Sequence, residues 1–167
     1  MKKIFWSLLL IISVAGKKAV AQHADILEAL ARNGKINTKL PIIDSLLTFK
    51  ASKKQLSDIQ KKFDLSSRDV SEIHELSKRN KGEKLNVSDI PGTTLISALL
   101  WYKGDTSRVT FMERYKPFYI LSIPTVFGHG DMAVVDIDLI GGGGYTYLLI
   151  KQQGQWVIKG ELVRWVV

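Results

Sequence analysis

Apolar residues recur at helical spacing through the first half of the chain and in alternation through its last third. From His23 onward, Ile26, Leu27, Leu30 and Ala31 make one helical stripe. Asn33-Gly34 stops it, because both residues tolerate the left-handed conformation that ends helices. Pro41 suits a first helical position, with Ile42, Ile43, Leu46 and Leu47 as the buried side of a brief second helix. Ser52-x-x-Gln55 is a capping-box pattern and predicts a helix over 53–63, with Leu56, Ile59 and Phe63 on one face. Ser66-x-x-Asp69 repeats the device for a helix over 67–79. Its stripe is Val70, Ile73 and Leu76, and Lys78-Arg79 lie where the helix dipole favours positive charge. Asn80 to Glu83 reads as a polar exit loop.

Beyond Pro91-Gly92 the texture changes. Thr93 to Tyr102 fits a strand or a buried helix equally well, and Thr106 to Tyr115 suits a short helix through Val109, Met112 and Tyr115. After Pro117, breaks at Gly128-His129-Gly130, Gly141–Gly144 and Gln153-Gly154 leave strand-like segments near 118–126, 131–140, 144–152 and 155–167. Short connections favour antiparallel pairing. The expected fold is therefore α+β, with residues 22–116 mainly helical and packed on a four-stranded antiparallel meander formed by 117–167. Along the second strand Val135, Ile137 and Leu139 share one side and Asp136 and Asp138 the other. The aspartate side is expected to be the wet one, since buried carboxylates need partners. Gly160, between Trp156 and Trp165, marks a bulge that would shift the alternation of the last strand.

The chain start changes the picture of where such a domain works. Lys2 and Lys3 precede an apolar run from Ile4 to Ala15, and the run leads to Ala19-Val20-Ala21, the small-x-small pattern of a signal-peptidase site. About 12 apolar residues span only ~18 Å as a helix, against a hydrocarbon core of ~30 Å, so a stable anchor is not expected. Residues 1–21 therefore read as a cleavable signal peptide and 22–167 as one soluble domain, exported to the periplasm or beyond the cell. Cleavage would remove Lys2, Lys3, Lys17 and Lys18, lowering the net charge from +8 to +4. The chain has no cysteine, which excludes disulfides, thiolate metal sites, a cysteine nucleophile and a lipid-bearing cysteine at the cut. The tandem helices 53–63 and 67–79 look like a helix-turn-helix, but a DNA-reading role is at odds with export, and no nucleic-acid partner is expected.

The string Leu121-Ser122-Ile123-Pro124-Thr125-Val126-Phe127, then Ala133-Val134-Val135, Gly144-Tyr145-Thr146-Tyr147-Leu148-Leu149, Gly154-Gln155-Trp156-Val157-Ile158 and Trp165-Val166 forms a pattern. It resembles secreted Bacteroidetes proteins of unknown function that carry a C-terminal antiparallel-sheet module. About 45 residues carry the resemblance. It implies export and the sheet, and it implies no activity. Cysteines that many such proteins have in the glycine-rich connection are replaced here by Gly141–Gly144.

Two constellations could carry chemistry. His129 and Asp131, in a glycine-framed turn, could act as a general base and its orienting carboxylate. Asp136 and Asp138 project from one strand face ~6–7 Å apart, between the separations used by retaining and inverting glycosidases. On a solvated face both would ionise, whereas acid–base work needs one pKa raised by burial. Tyr145 and Tyr147 are expected to join Asp136 and Asp138 on one open platform for stacking on a sugar or peptide. His23 and His74 lie in helical segments without ligand spacing, so no metal site is expected. Gly141–Gly144 lacks the lysine and helix of a phosphate loop, and no cofactor is expected. The reading that asks least of these residues is an exported, non-enzymatic domain binding a protein partner or a cell-envelope glycan through Tyr145, Tyr147, Asp136 and Asp138. The alternative is a small hydrolase or isomerase using His129/Asp131 or Asp136/Asp138. The export reading predicts that the protein recovered from the envelope or medium begins at Gln22. Intact-mass analysis checks this, and a start at Met1 would contradict it.

Overall fold

The structure, a computed structural model, describes residues 21–98 and 116–167. Residues 1–20 of the expected signal peptide, the end of the 93–102 run and the helix expected over 106–115 lie outside the described residues. Residues 21–32 are helical (α1). The two capping patterns do start helices: α2 (Lys53–Phe63) begins where the Ser52 hydroxyl accepts the Gln55 N–H, and α3 (Ser67–Arg79) opens on a full capping box of Ser66 and Asp69. These ends are set by side chains within three residues of the backbone they satisfy, so they are encoded locally.

Pro41 does not start a helix. Ile42–Ile43 form strand β1 and Ser45–Leu46 strand β2. Both isoleucines are fully buried although they point to opposite sides. A helix would bury one stripe, whereas a strand inside a two-faced sheet buries both residues. β2 pairs antiparallel with β3 (Glu83–Lys84), which takes up the end of the expected exit loop. Within the 93–102 run, Leu95–Ile96 form β4, lying parallel beside β1.

After Pro117 the chain is strand, but the sheet it builds is larger than a four-stranded meander. β5 (Phe118–Leu121) and β6 (Thr125–Phe127) both pair antiparallel with β7 (Met132–Ile140), followed by antiparallel β8 (Gly143–Gln152) and β9 (Gln155–Val166). The run expected as one strand is split at Ser122–Pro124, where Leu47 bridges Ser122 instead. β1 joins β5 in parallel, so the order is β4-β1-β5-β7-β8-β9, a mixed sheet. The β8–β9 turn has two residues, Gln153 (φ 50) and Gly154 (φ 82), both in the conformation that fits the strand twist.

Both faces of the sheet are covered. Ile26, Leu27 and Leu30 of α1 pack with Val135, Ile137, Tyr147, Leu149 and Trp156 on one face. Leu56 and Ile59 of α2 and Ile73 of α3 pack with Val134, Leu148 and Phe127 on the other. β9 slips register against β8 twice, once beside Gly160 as the sequence suggests and once near Gly144. At Gly160 a Cβ would come 3.1 Å from the Phe63 ring, so the missing side chain lets the end of α2 approach the sheet. Trp156 is 3% exposed on the α1 face. Trp156→Ala should therefore cost about 3–5 kcal/mol, read as a lower denaturation midpoint at unchanged slope; an unchanged midpoint would show that the ring contributes nothing to the core.

Candidate functional site

The register of β7 against β8 decides what the candidate residues can do together. Val135 lies opposite Tyr147 and Ile137 opposite Tyr145, while Asp136 lies opposite Thr146 and Asp138 opposite Gly144. Residues directly opposite in an antiparallel pair project to the same face. Tyr145 and Tyr147 thus sit on the α1 face and Asp136 and Asp138 on the α2 face, so the single open platform expected from the sequence is not formed. The expected wet side is also covered. Tyr147 is 4% exposed and stacks on Tyr145 with ring centroids 6.2 Å apart. Burial first, and then the nearby Glu161 carboxylate, push its hydroxyl pKa far up. Lys35 lies over the Tyr147 ring and pairs with Glu161 at 2.9 Å. This tyrosine is a packing residue tied to α1 and the loop after it.

On the other face the carboxylates are enclosed by partners. Asp136 accepts from the Thr146 hydroxyl at 2.5 Å and from the Gln55 amide of α2 at 3.2 Å, and its Oδ1 lies 3.4 Å from Arg164 Nε. Its backbone N–H donates to the Ser122 hydroxyl at 2.8 Å. Burial raises the Asp136 pKa above the ordinary carboxylate value, opposed by Arg164, Thr146 and Gln55 and reinforced by Asp138. Asp138 accepts from Arg164 Nη2 at 2.6 Å and from the Trp165 indole at 3.0 Å. Arg164 and Trp165 are consecutive, and in a regular strand they would point to opposite faces. The register shift beside Gly144 brings both to the aspartates. A Cβ on Gly144 would overlap the Trp165 indole and the Asp138 carboxylate, so Gly144 serves that close crossing. Arg164 Nε is buried with no hydrogen-bond partner of good geometry among the described residues.

Two clefts adjoin this cluster. One of about 260 Å³ lies between α2 and β9, lined by Ser52, Lys54, Gln55, Asp58, Leu162, Val163 and Arg164. The second, about 140 Å³, is bordered by Thr48, Lys50, Ser122, Asp136 and Asp138 among others. Arg164, Thr146, Ser122 and Gln55 were not legible as site residues. Gln55 reaches Asp136 from 81 positions away, and Trp165 joins Arg164 beside the aspartates only because of the bulge.

His129 is elsewhere. It sits left-handed (φ 62) in the turn Gly128–Gly130 and faces a cleft of about 470 Å³ lined by Arg68, Ser71, Glu72 and Glu75 of α3. Asp131 is exposed and takes no part in that cleft, and no hydrogen bond joins its side chain to His129 among the described residues. The turn meets α3 through Glu72, whose carboxylate accepts the Gly128 N–H at 3.4 Å. His23 pairs with Glu83 at 3.0 Å, and His74 Nδ1 is buried without a hydrogen-bond partner among the described residues. Among the described residues no group of three or more side chains is arranged to hold a metal ion, and no helix is long and apolar enough to cross a membrane. Comparison with family models, curated proteins and solved structures gives no match for this chain.

The raised Asp136 pKa has a definite sign. A carboxyl whose folded pKa lies above its unfolded value binds more protons when folded, so its contribution to stability falls as pH rises through and beyond the unfolded value. Asp136→Asn removes that dependence. The stability of the wild type relative to Asp136→Asn should accordingly decline from pH 3.5 towards neutrality in parallel denaturation series; a rise would show that Arg164 outweighs burial.

Proposed function

We propose that this is an exported, non-enzymatic binding module that takes an extended segment of a protein partner along the free edge of β9. One observation carries the reading. Leu162, Val163 and Arg164 are consecutive on β9, yet all three line the cleft beside α2. Leu162 lies opposite Thr146 on the α2 side and Val163 opposite Tyr145 on the α1 side, so a cleft that reaches both takes in the strand's edge. β9 is the last strand of the sheet order, and among the described residues no strand pairs with its outer side. Val163 and Val166 are 52% and 70% exposed, both on the α1 side opposite Tyr145 and Gly143. An added strand would find backbone groups at the edge, apolar contact from the valines on one face and polar contact from Lys54, Gln55 and Asp58 on the other. The original platform of Tyr145, Tyr147, Asp136 and Asp138 gains no support as a glycan surface, since it is split between two covered faces.

The competing hydrolase or isomerase reading has one observation in its favour, the raised pKa of Asp136 beside the cleft holding Ser122. Against it, both Asp136 oxygens are engaged, and the Ser122 hydroxyl already bonds the Asp136 N–H and lies 3.3 Å from the Ile123 carbonyl. Extended peptides selected from a random displayed library against the exported protein test the preferred reading. Binders should slow hydrogen exchange of the amides in 161–166, and Val163→Lys, which puts a charge on the edge, should weaken them by about tenfold or more. Binders that leave β9 exchange unchanged would overturn it.

A further inference from the structure

The helix beside the open edge of β9 carries a charge that the fold does not use. α3 obeys the helix dipole, with Asp69 in its first turn and Lys78 and Arg79 in its last. α2 does not. Its first turn has no acidic residue and begins Lys53-Lys54, and its last turn has Lys61 and Lys62. The helix thus holds four lysines against one carboxylate, Asp58. All four lysines are exposed, and none enters an ion pair among the described residues. Cations at a helix start oppose the dipole, and a local cost that folding does not explain marks a place used for something else. The helix also lies where its charge can act. Its start borders Leu162, Val163 and Arg164, and the Phe63 ring at its end meets Gly160, so α2 runs antiparallel to β9 along the open stretch. Lys54, Asp58 and Lys62 recur every fourth residue and share one flank, and Lys54 and Asp58 line the cleft. Lys159 is exposed on the same strand.

The other side of the edge is apolar. Among the described residues the large apolar side chains left exposed are Leu47, Val163, Val166 and Val167, and three of these four lie at this end of β9. Building on the strand-addition reading, we propose that the segment taken by β9 alternates apolar with acidic residues. Its apolar side chains lie against Val163 and Val166, and its carboxylates lie against the lysines of α2. The slip at Arg164 sets Val163 opposite Tyr145 and Val166 opposite Gly143, two residues apart on β8. A strand held in the same register on the outer side meets both valines with every second residue. The residues between them face α2, where a carboxylate finds two cations, Lys54 and Lys62, for one like charge, Asp58. A basic segment would be repelled by the same pair. A second copy of this chain would bring its own lysine-rich α2 to the same face, so the occupant is a different, acidic protein.

The test mixes the full exported protein with peptides in which valine alternates with glutamate, serine or lysine, and follows hydrogen exchange in 161–166. The glutamate peptide should protect these amides and bind about tenfold or more tighter than the serine one, with an affinity that falls as salt screens the charges. The lysine peptide should bind worst. Lys54→Glu combined with Lys62→Glu should reverse the order of the glutamate and lysine peptides. Lys84→Glu, on β3 in the separate two-stranded sheet, should leave that order unchanged. Lys54→Glu alone should melt no lower than the wild type, because an acid in the first turn suits the dipole; binding lost there is not folding lost. Library binders that protect β9 should likewise be rich in aspartate and glutamate. If the serine or lysine peptide protects β9 as well as the glutamate one, or if library binders at β9 show no acidic excess, this inference is overturned and strand addition stands. If no peptide of any kind protects 161–166, both fall. Protection of the same amides by self-association, as protein concentration rises without peptide, would give the edge to a second copy and overturn the inference too.

Discussion

A carboxylate of β7, Asp136, lies beneath α2 with Asp138 partly buried two residues on, and much of the surrounding structure follows from the need to pair them. Taking a carboxylate such as Asp136 out of water costs several kcal/mol unless the charge is met by good geometry. The chain meets it from three directions: Thr146 across the ladder, Gln55 from α2 above, and Arg164 and Trp165 from β9. The last two share a face only because β9 slips register, and the indole can cross β8 only because position 144 has no side chain. Replacing the aspartates together with their partners by apolar groups of similar volume would be nearly neutral for stability. Removing one partner alone leaves a buried charge, which is far worse. The network therefore fixes the register of β7, β8 and β9 and the seat of α2 more than it adds stability.

The helices were legible because their signals are local. Ser52 and Ser66 cap amides within three residues, and the apolar stripes of α2 and α3 need no knowledge of the rest of the chain. The glycine-marked turns were legible for the same reason, with Gln153-Gly154 closing its hairpin in two residues. What was hidden is long-range. β1 and β4 have two residues each, too few to show a period, and their parallel pairing joins segments more than fifty residues apart. Alternation along β7 correctly separated Val135 and Ile137 from Asp136 and Asp138. Inferring that the charged side was wet assumed a sheet with one open face, and here both are covered. The tyrosines were placed with the aspartates because the β7–β8 register cannot be read from either strand alone. Sequence adjacency pairs His129 with Asp131, whereas in the fold the turn donates the Gly128 N–H to Glu72 of α3.

With both faces closed, the edge of β9 is the long stretch of backbone left open among the described residues, the other end of the sheet being the two-residue β4. Natural sheets guard such edges with bulges and charges, and β9 has both at Lys159-Gly160. That guard acts in a particular way. Around Gly160 the sequence is nearly self-complementary for antiparallel pairing with a second copy: Lys159 would meet Glu161, Ile158 would meet Leu162 and Val157 would meet Val163. A two-fold axis perpendicular to the sheet keeps each face on its own side, so paired residues must share a face. Val157 and Val163, six apart, would do so in a regular strand. The bulge between them breaks the parity: Val157 lies opposite Ile150 on the α2 side and Val163 opposite Tyr145 on the α1 side. One inserted residue flips every side chain beyond it, so two copies cannot match their apolar and charged residues at once. That register is thereby closed to a second copy, while the stretch from Glu161 to Val166, which carries the second slip at Arg164, is long enough for a short added strand.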